Sequence, residues 1–67
     1  MKGNVEILIN RAIYYLRREG EIVNSTGLGL YRVNGSVVSA HDVIDFADEL
    51  RIADGKISLA DSLGDGQ

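Results

Sequence analysis

Two glycine-marked turns, Thr26-Gly27 and Asn34-Gly35, leave only the six residues Leu28 to Val33 between them. A segment that short, bounded by turn residues and rich in β-formers, predicts a strand in a meander rather than a helix. Asn34-Gly35 is the stronger signal, because both residues tolerate the positive φ of a two-residue hairpin turn. Glu21 to Ser25 then predicts the first strand, Leu28 to Val33 the second and Ser36 to Val38 the third. Side-chain alternation places Tyr31 and Val33 on one face of the sheet and Leu30 and Arg32 on the other.

The flanks read as helices. From about Asn4 to Glu19, Val5, Leu8, Ile9, Ala12, Ile13 and Leu16 recur at three- and four-residue spacing. That period predicts an amphipathic helix, with Asn4 as N-cap, Glu6 in the first turn and Gly20 as the stop. Its polar face collects Glu6, Asn10, Arg11, Tyr14, Arg17 and Arg18. Ser39 with Asp42 three residues on resembles a capping box and opens a second helix, about Ala40 to Ile52. Its apolar face carries Val43, Phe46, Ala47, Leu50 and Ala53. Asp54-Gly55 ends it, Lys56-Ile57 is a short extended piece, and Ser58 with Asp61 opens a last helical turn through Leu63.

The predicted fold is therefore one α+β domain over residues 1–64, with residues 65–67 a disordered tail. The expected core is Leu8, Ile9, Ala12, Ile13, Leu16, Ile22, Tyr31, Val33, Val38, Val43, Phe46, Ala47, Leu50 and Leu63. At 67 residues the core is marginal, and a homodimer is a reasonable expectation. Cysteine is absent, which excludes disulfides and thiolate metal sites. With no apolar run of membrane-spanning length and no charged-then-apolar leader, the expectation is a soluble cytoplasmic protein. Asn24-Ser25-Thr26 and Asn34-Gly35-Ser36 match a glycosylation acceptor pattern but read as turn chemistry.

Charge is unevenly distributed. Residues 1–33 carry five basic and three acidic side chains, net +2, while residues 34–67 carry two basic and seven acidic, net −5. The first half can face phosphate and the second cannot.

A basic amphipathic helix, a Gly stop and a glycine-turned hairpin ending Gly29-Leu30-Tyr31-Arg32-Val33 together resemble the recognition helix and wing of winged-helix DNA-binding domains. The similarity is to the biotin-ligase-repressor and response-regulator types. It rests on Ile9, Ile13, Leu16-Arg17-Arg18, Gly27 and Gly29 to Val33, with Leu30 an extra residue between the second glycine and the tyrosine. Such domains place two helices and a short strand before the recognition helix. Here Val43 to Ile52, Lys56-Ile57 and Ser58 to Gly64 look like those parts, in the order a circular permutation would give. An ordinary α-β-β-β-α protein has the same element order. The resemblance implies a small transcriptional regulator binding double-stranded DNA, with Asn10, Arg11, Tyr14, Arg17 and Arg18 in the groove and Arg32 at the wing.

The acidic half offers the alternative. Asp42, Asp45 and Glu49 share one helix face, with Asp48 at its edge. That face would dock a protein partner with a basic surface and make the chain a non-enzymatic binding module or inhibitor. Catalysis has little support in the sequence: His41 is the only histidine, and His41 with Asp45 supplies just two metal ligands. The serines have no base at helical spacing, and Gly27-Leu28-Gly29 lacks the third glycine and following helix of a dinucleotide site. No enzyme activity and no cofactor are expected.

Overall fold

The computed structural model describes residues 2–65. The elements are α1 (Lys2–Arg18), β1 (Val23–Gly27), β2 (Leu30–Val33), β3 (Ser36–Ser39), α2 (Ala40–Ala53) and α3 (Leu59–Asp65). The three strands form one antiparallel meander in the order β1-β2-β3. α1 packs chiefly on α2; the sheet lies over both, through β1 on α1 and through β2 and β3 on α2. The fold is α+β, as the sequence predicts.

Local chemistry sets the helix ends. α1 stops where Gly20 takes φ +94°, with the Gly20 and Glu21 N–H groups donating to the carbonyls of Arg17 (3.1 Å) and Leu16 (2.9 Å). α2 stops in the same way: Gly55 sits at φ +84°, and Gly55 and Lys56 donate to Ile52 (3.0 Å) and Arg51 (2.8 Å). Both are Schellman endings, in which two otherwise orphaned carbonyls are satisfied by the residues just past the helix. At the start of α2 the capping box forms. Ser39 Oγ accepts from the Asp42 N–H at 3.2 Å, and Asp42 Oδ2 accepts from the Ser39 N–H at 3.3 Å. Ser58 Oγ likewise accepts from the Asp61 N–H at 3.2 Å and opens α3.

α1 starts earlier than expected, at Lys2, so Asn4 lies within the helix and is not its N-cap, and Glu6 falls past the first turn. α3 runs to Asp65, two residues beyond the expected end, and the rest of the expected tail, residues 66 and 67, lies outside the described residues.

The first hairpin is displaced by two residues. β1 spans Val23–Gly27 rather than Glu21 to Ser25, and the turn is Leu28-Gly29 rather than Thr26-Gly27. Both turn residues have positive φ, +56° and +75°, the two-residue geometry that suits strand twist. The shift is absorbed at Thr26, which bulges between the pairs Ser25↔Tyr31 and Gly27↔Leu30 while its hydroxyl donates to the Leu30 carbonyl at 3.1 Å.

This register corrects the core. Val23 stands opposite Val33, so it shares the inward face of Tyr31 and Val33 and is 1% exposed. Ile22, expected in the core, is turned outward and is 66% exposed. The buried set is Ile9, Ala12, Tyr15, Leu16, Val23, Val43, Ala47 and Leu59; Leu8, Ile13, Tyr31, Val33, Val38, Phe46 and Leu50 pack partly buried around it. Leu63 lies outside the residues whose side chains are described. Lys56-Ile57 joins no strand of the sheet. Among the described residues no helix is long and apolar enough to cross a membrane.

Candidate functional site

Arg11, Tyr14 and Arg18 fall at i, i+3 and i+7 of α1, so they form one stripe. All three are exposed, and the Arg18 guanidinium carbon lies 5.7 Å from the centre of the Tyr14 ring. Tyr15 lies beside the stripe and points inward. It is 7% exposed, and its hydroxyl donates to Asp54 Oδ2 at 2.5 Å, across 39 residues of chain. Two cations from the second half of the chain cover its ring. The Arg51 guanidinium carbon is 5.4 Å from the ring centre and Lys56 Nζ is 5.2 Å away.

The Schellman ending of α2 explains why they are there. The turn at Gly55 folds Lys56 back beside Arg51, and Arg51 Nε donates to the Ile57 carbonyl at 2.8 Å, fixing the connection to α3. α3 is held in turn by Asp48, whose Oδ1 accepts from the Leu59 N–H at 2.8 Å. The result is a recess of about 250 Å³ between α1, the end of α2 and α3. Four cations line it (Arg11, Arg18, Arg51 and Lys56) against one carboxylate, Glu19, with Tyr14, Tyr15, Leu59 and Ser62 completing the wall.

Electrostatics at Tyr15 follow from its partner. The hydrogen bond to the Asp54 carboxylate pushes its pKa up to about 12, with desolvation and the negative charges of Asp54 and Glu19 acting in the same direction and Arg51 opposing them. The phenol is therefore a fixed neutral donor that orients Asp54 and leaves its ring face to the cations.

The residues expected to contact DNA separate into four groups. Arg11, Tyr14 and Arg18 converge on the recess. Asn10 is exposed on α1 but does not line it. Arg17 is committed elsewhere: its Nε and Nη2 donate to the Val23 carbonyl at 3.1 and 2.6 Å, tying α1 to the edge strand β1. Arg32 stands opposite Asn24 and Val37 on the outer, exposed face of the sheet, and does not line the recess with the α1 arginines. Sequence reasoning missed Arg51, Lys56 and Tyr15. Both cations sit in the acidic half, and only the packing of α2 and its C-terminal turn against α1 brings them to the basic stripe.

The acidic face of α2 is also thinned. Asp42 is used in the capping box and Asp48 in holding α3, which leaves Asp45 and Glu49 exposed without a hydrogen bond among the described residues.

Fold and site together define a small α+β domain with a cationic, tyrosine-walled recess on its helical layer. No family model, curated protein or solved structure matches this chain.

Proposed function

We propose that this chain is a small, non-enzymatic DNA-binding regulator, acting in the cytoplasm, that grips phosphate through the recess between α1, α2 and α3. One observation carries the reading. Four cations from two stretches far apart in a chain with net charge −3 are gathered around one concavity. Phosphate contacts of this kind supply affinity and position and fade with salt. Arg11 and Arg18 of α1 face Arg51 and Lys56 across the recess, with Tyr14 an exposed ring among its lining residues. Arg17 and Arg32 play no part at this site.

The test is anisotropy of a labelled duplex carrying an unpaired tail, with native protein and the double variant Arg11→Glu/Arg18→Glu. Neither arginine makes a hydrogen bond among the described residues, so the variant should keep its fold by circular dichroism. Micromolar binding at low salt, lost at least tenfold in the variant, is the expected result. Equal affinity of the two proteins would end the proposal. A partner with a basic surface docking on α2 is the competing reading, and it now rests on Asp45 and Glu49 alone. Lysine substitutions there should leave DNA binding intact or strengthen it.

A further inference from the structure

Resting on that reading, we infer that the recess takes a phosphate of single-stranded DNA, with the neighbouring unpaired base stacked on Tyr14, rather than the backbone of a duplex. Shape is the first argument. An α-helix reads duplex DNA by entering a major groove roughly 12 Å wide, which requires a convex, protruding face. Here the cations of α1 are turned into a concavity walled by Leu59 and Ser62 of α3. A single unpaired strand can lay one phosphate into such a hollow; the paired backbone of a rigid duplex approaches it only from the rim.

Size is the second argument. At about 250 Å³ the recess falls below the roughly 300 Å³ at which sites for whole small-molecule ligands begin. A phosphate and part of its sugar fit it, which leaves the base at the open mouth near Tyr14.

The aromatic residues supply the third. Tyr15 is buried with Arg51 and Lys56 over its ring, and Tyr31 is half-buried in the sheet's inner face. Tyr14 differs: it is 65% exposed among the residues lining the recess, with the Arg18 guanidinium over one face of its ring. An exposed ring flanked by cations is the arrangement on which unpaired bases stack without regard to sequence. Bases inside a duplex do not present a face to it.

Three probes of equal length test this at one salt concentration: a short oligothymidylate, a blunt duplex, and an abasic phosphodiester strand. Native protein should bind the oligothymidylate about tenfold more tightly than the duplex, the worth of one stacked base. Tyr14→Ala should lose that advantage, Tyr14→Phe should keep it, and both native protein and Tyr14→Ala should bind the abasic strand equally. Tyr14 is exposed enough that its truncation leaves the fold unchanged, and the native comparison stands even without the variants. Equal or tighter binding of the duplex, or an unaltered affinity of Tyr14→Ala for oligothymidylate, would overturn the inference. Failure of native protein to bind any of the three would instead overturn the DNA reading beneath it.

Discussion

Arg17 and Arg18 are neighbours in sequence and alike in chemistry, yet the structure assigns them opposite tasks. The Arg17 guanidinium donates twice to the Val23 carbonyl, while Arg18 faces the recess. Replacing Arg17 by Met keeps an apolar stem and removes both donors. Hydrogen bonds from a charged donor contribute about 1.5–3 kcal/mol, and solvent competes for this exposed side chain, so the lower figure applies. A domain of this size has a total stability of roughly 3–10 kcal/mol, so a loss of about 1.5 kcal/mol is readily seen. With a urea slope of about 1 kcal/mol/M for a small protein, the unfolding midpoint followed by circular dichroism should fall by about 1.5 M. Arg11→Met and Arg18→Met, which remove no hydrogen bond among the described residues, should stay within about 0.5 kcal/mol of native.

DNA binding should show the reverse order. Arg18→Met should weaken it several-fold, and Arg17→Met, assayed without urea, should change it less than about twofold, since its donors face β1 and not the recess. Equal urea midpoints for Arg17→Met and Arg18→Met would refute the reasoning, because the latch would then contribute nothing.

Leu28 holds φ +56° at the hairpin tip with 99% of its surface exposed, so its side chain contributes no packing to offset backbone strain. Leu28→Asn should stabilise the domain by about 1 kcal/mol and raise Tm by roughly 6 °C; an unchanged or lower Tm would contradict this. Tyr15 has a folded pKa raised from 10.0 to about 12, so the fold holds its proton more tightly than the unfolded chain does. The resulting stability is complete below pH 10 and declines as pH rises toward 12, and Tyr15→Phe should flatten that part of the stability profile. Asp48→Ala removes the acceptor of the Leu59 N–H, so hydrogen exchange at that amide should speed up about fivefold, consistent with about 1 kcal/mol of local stability. Asp45→Ala should leave it unchanged.

What the sequence discloses is what neighbouring residues decide. Helical periodicity locates α1 and α2, and Ser39 with Asp42, Ser58 with Asp61, Gly20 and Gly55 mark ends that the backbone then adopts. The first hairpin was legible in kind and not in frame. Gly27 and Gly29 offer adjacent turn positions, and the choice between them depends on the Thr26 bulge and the pairing of Val23 with Val33, both of which are settled between strands. The exchange of Ile22 for Val23 in the core follows from that bulge: a two-residue displacement alone keeps each side chain on its face, and the one extra residue at Thr26 turns the strand over. Half of the candidate site was visible as the Arg11, Tyr14, Arg18 stripe. Arg51 and Lys56 were hidden because charge counted along the chain assigns them to an acidic half, whereas in space the end of α2 completes the basic stripe. No local pattern distinguishes Arg17 from Arg18; the helical rotation between successive residues directs one to the edge strand and the other to the recess.

Cations that bind DNA phosphate release counterions, so the salt dependence of binding reads the recess itself. Each phosphate neutralised on a single strand contributes about −0.7 to the slope of log affinity against log salt. The one phosphate that the four cations of the recess surround predicts a slope of about −0.7 on an unpaired strand, moving toward zero when Arg11 and Arg18 are both changed to Gln. A native slope near zero, or one that the double substitution leaves unaltered, would contradict the account.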